Sequence, residues 1–85
     1  MRILWDEDAW EEYMYWQKKD KKVLHKINEL IKDTMRNGYG GMGKPEPLRF
    51  QLSGYWSKRI TDKDRLIFKI EEYTIKIISC QGHYN

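Results

Sequence analysis

The sequence predicts an α+β fold, a twisted antiparallel β-sheet with two N-terminal helices packed on one face. Apolar residues recur at helical spacing up to about residue 34, and after residue 47 they alternate with polar ones. A segment rich in glycine and proline separates the two patterns. Because 85 residues suffice for only one core, we expect a single domain over residues 1–85.

The N-terminal half should hold a short strand and a hairpin of two helices. Residues 1–5 are expected to form the strand. Asp6 is placed to cap a helix from Glu7 to about Lys19, and Asp20 to cap a longer helix that follows without a linker. The apolar stripes are Ala9, Trp10, Tyr13 and Met14 on the first helix, and Val23, Leu24, Ile27, Leu30, Ile31 and Thr34 on the second.

The C-terminal half should be an antiparallel meander. Residues 37–47 are expected to form a loop, followed by strands around residues 48–52, 55–60, 65–70 and 73–80. Alternation assigns one set of side chains to the face under the helices: Leu48, Phe50, Leu52, Trp56, Ile60, Leu66, Phe68, Ile70, Tyr73, Ile75 and Ile77. The other face should be open.

Composition and charge exclude several classes of protein. The single cysteine, Cys80, cannot form an internal disulfide and suits a reducing compartment. With only two histidines there is no zinc ligand set, although a mixed histidine and carboxylate site stays open. The absence of a signal-like or membrane-length apolar run predicts a cytoplasmic protein without membrane contact. A net charge of +3 permits a polyanionic partner without requiring one.

Strand register places a pair of arginines on the open face. If Ile60 and Leu66 share the covered face, the turn between them must bring Arg59 and Arg65 together on the other. The same alternation adds three basic residues to this face, Arg49, Lys69 and Lys76. Two guanidinium groups at one hairpin suit phosphate, which each binds through paired hydrogen bonds. A basic face that only keeps the sheet soluble is the alternative.

Residues capable of acid–base chemistry occur on either side of this sheet in sequence. Glu46 lies between two prolines, and the second restricts it to an extended conformation just before the sheet begins. His83 and Tyr84 follow the last strand, which neighbours the strand that carries Arg65. Taken singly, Glu46 is an ordinary turn residue and the C-terminal residues are an ordinary frayed tail.

Together these residues are of the types that metal-free RNA cleavage requires. The reaction needs a base for the proton of the 2′-hydroxyl, an acid for the departing 5′-oxygen, and positive donors at the phosphate between them. Glu46, His83 and the two arginines supply these groups, and Tyr84 can stack on a base or orient a phosphate. DNA would be a poor substrate because it lacks the 2′-hydroxyl.

Several short segments are distinctive in combination: residues 26–34 (KINELIKDT), 44–48 (KPEPL), 52–61 (LSGYWSKRIT), 64–66 (DRL) and 82–84 (GHY). Together they resemble the Txe/YoeB branch of the RelE superfamily of bacterial toxin ribonucleases. The resemblance runs from Trp5 to Tyr84. It implies a RelE-like fold and a ribosome-dependent mRNA interferase, an endoribonuclease that cuts messenger RNA in the ribosomal A site and inhibits translation.

The resemblance also implies roles for individual residues. It makes Glu46 the general base and His83 the general acid, while Arg65 stabilises the transition state and Tyr84 assists. Four residues are expected to bind the substrate: Lys44, Arg49, Arg59 and Tyr84. No metal or cofactor takes part, and the products end in a 2′,3′-cyclic or 3′-phosphate and a 5′-hydroxyl.

The partners implied by the resemblance are the 70S ribosome with its mRNA and a YefM-like antitoxin. The C-terminal segment of such an antitoxin wraps the toxin and covers the site, and the pair represses its own operon, so operator DNA is contacted only through that complex. Homodimers also occur in this branch. The chain departs from the family in a loop richer in glycine at residues 38–43 and in Asn85, which follows Tyr84.

Two other functions are alternatives to the ribonuclease. A non-catalytic module of the same fold would use the basic face to hold RNA or an acidic peptide, and it would not need the acid–base pair. A DNA-binding repressor acting alone would need a recognition helix with basic residues at groove-facing positions, and neither predicted helix offers one.

Overall fold

The computed structural model describes residues 1–83 as two helices and a five-stranded sheet. The elements are β1 (Arg2–Trp5), α1 (Glu7–Lys19), α2 (Lys21–Asn37), β2 (Glu46–Pro47), a single 3₁₀ turn (Phe50–Leu52), β3 (Trp56–Arg59), β4 (Arg65–Glu71) and β5 (Thr74–Ser79). This confirms the α+β class, the helical hairpin and the loop between the helices and the sheet.

The sheet has the order β1-β5-β4-β3-β2. Strands β2 to β5 form the predicted antiparallel meander. Strand β1 pairs with β5 in the parallel sense, from Arg2 opposite Thr74 to Trp5 opposite Ile77, so the complete sheet is mixed. Apolar alternation does not encode the direction of an isolated N-terminal strand, and for that reason the parallel pair was not predicted.

The helices begin where the aspartates predict. The carboxylate of Asp20 accepts hydrogen bonds from the amides of Lys22 and Val23 at 3.0 and 3.3 Å, which satisfies two free donors at the start of α2. Asp6 occupies the corresponding position before α1, but its side chain makes no capping bond. The α1 terminus is therefore favoured mainly by the acidic residues in its first turn.

The core lies between the helices and one face of the sheet. The stripe predicted on α2 is buried there, apart from Leu24, which is half-buried. On α1 the buried residues are Ala9 and Trp16, whereas Trp10 and Met14 are 47% and 45% exposed. The buried side of α1 therefore includes Trp16, which was not part of the predicted stripe. Its indole Nε1 donates to the Cys80 carbonyl at 2.9 Å, and this bond joins α1 to the end of β5.

The expected strand over residues 48–52 is wrong. The chain leaves the sheet after Pro47, and Phe50 adopts a positive φ of 57° and is 83% exposed instead of lying under the helices. Turn geometry overrides the alternation at this point, so Arg49 does not lie on a strand either.

Near β5, the predicted sheet face is wrong for two further side chains. Tyr73 is exposed because it and Glu72 form the two-residue β4–β5 turn, in which both have positive φ. Simple alternation along β5 predicts Cys80 on the open face, but it is buried in the core. The ladder skips Ile78 at a bulge and β5 ends at Ser79, so the strict alternation is lost before Cys80.

Within residues 1–83, neither helix is long and apolar enough to cross a membrane.

Candidate active site

A cleft of about 870 Å³ opens on the sheet face opposite the helices. Six of the residues predicted to form the site line it: Lys44, Glu46, Arg49, Arg59, Arg65 and His83. The seventh, Tyr84, lies outside the described residues, as does Asn85. The structure thus brings together side chains from three strands, from the loops before and after β2 and from the segment after β5.

Glu46 is held at one side of the cleft by β2. This two-residue strand pairs Glu46 with Ser57, and the amide of Leu48 donates to the carbonyl of Tyr55 at 2.9 Å. The proline after Glu46 removes one backbone donor and restricts the glutamate to an extended conformation. Pairing across the ladder puts Glu46 on the same face as Ser57, and its carboxylate is exposed to the cleft.

The arginine pair predicted from strand register is confirmed. Arg59 and Arg65 are direct partners across β3 and β4, and both line the cleft. They differ in burial, because Arg59 is exposed and only 9% of Arg65 is. Among the described residues neither guanidinium forms an ion pair with a carboxylate, so both positive charges remain available to an anion.

The guanidinium of Arg65 is fixed by the loop between β3 and β4. Its Nη1 donates to the backbone carbonyls of Thr61 at 2.7 Å and Asp64 at 3.1 Å. These acceptors are neutral, so they orient the group without cancelling its charge. A buried, oriented cation of this kind can stabilise negative charge that develops on a phosphate.

The segment before His83 is attached to β4. The amide of Arg65 donates to the carbonyl of Gly82 at 2.9 Å, and the amide of Gly82 donates to Asp64 Oδ1, also at 2.9 Å. His83 is exposed and borders the cleft. The expectation that the chain leaves the sheet beside the strand carrying Arg65 is therefore confirmed.

The strand order puts the arginines between the glutamate and the histidine. Glu46 is on β2 at one edge, β3 and β4 carry the arginines, and the chain before His83 is bonded to the far side of β4. With neighbouring strands about 4.8 Å apart, the backbones that carry Glu46 and His83 are separated by three spacings, roughly 14 Å. Their side chains can approach a phosphate above the arginines from opposite sides.

A buried lysine fastens the glycine-rich loop that precedes Glu46. Lys58 on β3 is fully buried, and its Nζ donates to Thr34 Oγ1 at 2.9 Å and to the carbonyl of Gly38 at 3.2 Å. It also forms an ion pair with Asp33 at 3.4 Å. The start of the loop is thereby joined to both α2 and the sheet.

The end of the same loop is fixed beside Arg59. The carbonyl of Gly43 accepts from the amide of Arg59 at 2.7 Å, and the amide of Met42 donates to Asp33 Oδ2 at 3.0 Å. Gly43 has a φ of 91°, and a Cβ there would lie 2.9 Å from the Cβ of Lys58, so a larger residue would displace the loop. The chain therefore enters the cleft from a fixed point.

The charges of this cluster support each other. Burial lowers the pKa of Lys58. The hydrogen bond from Lys58 to Asp33 and the negative charge of Asp33 oppose that shift. Burial would raise the pKa of Asp33, but hydrogen bonds from Asn37, the Met42 amide and Lys58 bring it below its usual value. Asp33 is thus ionised beside the buried lysine.

The comparison with known families identifies the chain. It matches, over residues 5–84, the family model described as YoeB-like toxin of bacterial type II toxin-antitoxin system. The chain belongs to this family.

Individual relatives agree with this assignment. The chain is 49% identical to Toxin YoeB of Escherichia coli (strain K12) over 84 residues, 99% of this chain and 100% of that protein. It is similar to the YoeB-YefM complex from Staphylococcus aureus, with a TM-score of 0.92 at 45% identity, and to the YoeB dimer from the same organism, with 0.93 at 46%. Each match covers 99% of this chain and 98% of the solved one.

Two residues that matter to the site were not anticipated from the sequence, one in the cleft and one in the core that supports it. Phe50 lines the cleft with 83% of its surface exposed, and the only signal for it was the serine–glycine turn that soon follows. Lys58 falls on the covered face by simple alternation, but a lysine at such a position is normally taken to be exposed. Its partners in α2 could not be known before the fold.

The single cysteine and the other histidine, whose side chains could in principle take part in chemistry, do not contribute to the cleft. Burial raises the pKa of the Cys80 thiol to about 12, with additions from the charges of Glu12 and Asp64, so the thiol stays protonated. His25 is exposed on α2 and contacts Glu29, as expected for a surface residue. Within residues 1–83, no three His, Cys, Asp or Glu side chains are grouped so that they could hold a metal ion.

Proposed function

We propose that this YoeB-like toxin is a ribosome-dependent endoribonuclease that cuts mRNA in the A site by metal-free general acid–base catalysis. The observation that carries the proposal is that Glu46, Arg59, Arg65 and His83 line one cleft although they come from four different segments. A module that only binds RNA has no need of a carboxylate among its basic residues. Proteins that share a fold often differ in function, so the proposal depends on these residues.

The proposed reaction divides the proton transfers between the two sides of the cleft. Glu46 accepts the proton of the 2′-hydroxyl while the 2′-oxygen forms a bond to phosphorus. His83 donates a proton to the 5′-oxygen as the bond from phosphorus to that oxygen breaks. Arg65 and Arg59 neutralise the charge on the non-bridging oxygens between these events. The products carry a 2′,3′-cyclic phosphate, which can open to a 3′-phosphate, and a 5′-hydroxyl.

Substrate binding is assigned to the basic residues and to an aromatic side chain. Lys44, Arg49 and Arg59 provide positive charge along the cleft for the RNA backbone. Phe50 offers an exposed ring on which an unpaired base can stack. Tyr84 is also expected to act in binding or catalysis, as the resemblance of the sequence to the family implies.

The partners proposed for this chain follow from its relatives and its charge. We expect a YefM-like antitoxin to bind the toxin and cover the cleft, and a homodimer to form as in the Staphylococcus aureus YoeB structure. The antitoxin complex would contact operator DNA and repress the operon, whereas the toxin alone would meet the ribosome and its mRNA in the cytoplasm. The proposed functional unit is one domain over residues 1–85.

Glu46→Gln tests whether the site is catalytic. The amide keeps the shape of the side chain but cannot accept the 2′-hydroxyl proton, so we expect cleavage of ribosome-bound mRNA to fall about 10²- to 10⁴-fold with binding unchanged. Single-turnover cleavage and ribosome binding should be measured together. If Glu46→Gln left translation inhibition intact while Arg59→Ala and Arg65→Ala removed it, the non-catalytic binding module would be favoured instead.

Phe50→Ala tests the proposed base contact. Stacking of a base on an aromatic side chain contributes about 1–3 kcal/mol, so we expect affinity for mRNA-programmed ribosomes to fall roughly 5- to 150-fold. Binding should be measured in the Glu46→Gln background, which prevents cleavage. Tyr73→Ala is the matched control, because Tyr73 is also an exposed aromatic residue but lies on the β4–β5 turn. Equal affinities of the two variants would contradict the contact.

A further inference from the structure

Asp64 lies in the β3–β4 loop and joins that loop to the segment that carries His83. Its Oδ1 accepts from the amide of Gly82 at 2.9 Å, and its Oδ2 accepts from Thr61 Oγ1 at 2.8 Å. The side chain is half-buried and is not among those that line the cleft. One carboxylate therefore connects two segments that are 18 residues apart in sequence.

The backbone of Asp64 is itself fixed within the loop. Its amide donates to Thr61 Oγ1 at 3.0 Å, and its carbonyl accepts from the amide of Ile60 at 3.0 Å and from Arg65 Nη1 at 3.1 Å. The residue thus contacts the guanidinium proposed to stabilise the transition state. Because these bonds involve both the main chain and the side chain, Asp64 has little freedom to move relative to Arg65.

Gly82 is held on both sides as a result. Asp64 accepts from its amide, and its carbonyl accepts from the amide of Arg65 at 2.9 Å. Gly82 has a φ of 86°, a conformation that glycine adopts without strain and that turns the chain towards the cleft at the next residue. His83 therefore follows directly from a residue whose backbone N–H and C=O are both anchored to the hairpin of Arg65.

We propose that Asp64 is a positioning residue that sets the location of the His83 imidazole relative to Arg65. This inference rests on the proposed function, in which His83 protonates the departing 5′-oxygen. A shift of about 1 Å in a reacting group can cost on the order of 100-fold in rate, so loss of the anchor should act on the chemical step. Asp64 itself touches neither substrate nor reacting atoms.

The test compares two leaving groups. Ribosomes are programmed with a message that carries either the ordinary 5′-oxygen or a 5′-bridging sulphur at the mapped cut site. A thiolate leaves without protonation, so cleavage of the sulphur substrate does not require the acid. We expect Asp64→Ala to slow the oxygen substrate by about 100-fold and the sulphur substrate by no more than a few-fold. The same dependence on the leaving group is expected of His83→Gln.

Two further variants test the anchor itself. Asp64→Asn keeps an oxygen that accepts from the amide of Gly82, so its activity on the oxygen substrate should be within a few-fold of the unmodified protein. Thr61→Val keeps Asp64 but removes the bond to its Oδ2 and the bonds that the hydroxyl accepts from the amides of Lys63 and Asp64. We expect an intermediate loss that again depends on the leaving group, and this variant decides the matter if Asp64→Ala does not fold. Asp62→Ala, exposed in the same loop, is the control.

The outcomes separate this proposal from the one on which it rests. Equal slowing of both substrates by the Asp64 and Thr61 variants, with His83→Gln still rescued by sulphur, would overturn the positioning role and leave the acid role intact. If sulphur failed to rescue His83→Gln, the acid assignment in the proposed function would itself be wrong.

Discussion

Replacing His83 with glutamine is expected to reduce cleavage of ribosome-bound mRNA by about 10²- to 10⁴-fold without unfolding the protein. The side chain is exposed at the cleft and packs into no core, so its loss removes the acid and little else. Single-turnover cleavage gives the rate, and circular dichroism confirms the fold. Deletion of residues 83–85 should likewise leave a folded and inactive protein.

His25→Gln is the matched control for this variant, because His25 is the other histidine, lies exposed on α2 and does not line the cleft. It should cleave at the unmodified rate. Undiminished cutting by His83→Gln would rule out the assigned acid role.

Replacing Lys58 with alanine is expected to lower the free energy of unfolding by about 3 kcal/mol. The change opens a cavity under β3, leaves the carbonyl of Gly38 without its donor and leaves Asp33 without its ion-pair partner. This is a large share of the stability of a small protein, which is typically about 5–15 kcal/mol. Urea unfolding at fixed temperature measures the difference.

Lys58→Met separates volume from charge, since methionine refills much of the cavity without a donor. We expect it to cost about 1 kcal/mol, because an apolar replacement of a buried ion is often nearly neutral. Lys63→Ala, exposed in the β3–β4 loop, should change stability by less than about 0.5 kcal/mol. If Lys58→Ala cost no more than Lys63→Ala, the buried cluster would not stabilise the fold as described.

Sequence reasoning succeeded where a single periodic pattern governed the structure. The α2 stripe is buried as predicted apart from Leu24, because the apolar period is repeated over the several turns of a 17-residue helix. The pairing of Arg59 with Arg65 followed from the requirement that Ile60 and Leu66 share the core, and so did not depend on any assumed function.

It failed where the backbone left its regular conformation. Phe50 and Tyr73 have positive φ values that apolar alternation cannot reveal, and the bulge beside Phe68 returned Cys80 to the core. The anchoring of His83 through Asp64 depends on a contact between residues far apart in sequence, so no local pattern signalled it. In the site itself, the residues that line the cleft could be predicted from the sequence. The groups that hold them in place could be identified only from the three-dimensional structure.

Mapping the 3′ ends of a defined message with and without translation tests the central claim most directly. We predict that the toxin produces discrete 3′ ends, carrying a cyclic or 3′-phosphate, at A-site codons when ribosomes are translating. Glu46→Gln and His83→Gln should abolish them. Discrete toxin-dependent ends in the absence of ribosomes, or no new ends during translation despite inhibited protein synthesis, would contradict a ribosome-dependent endoribonuclease.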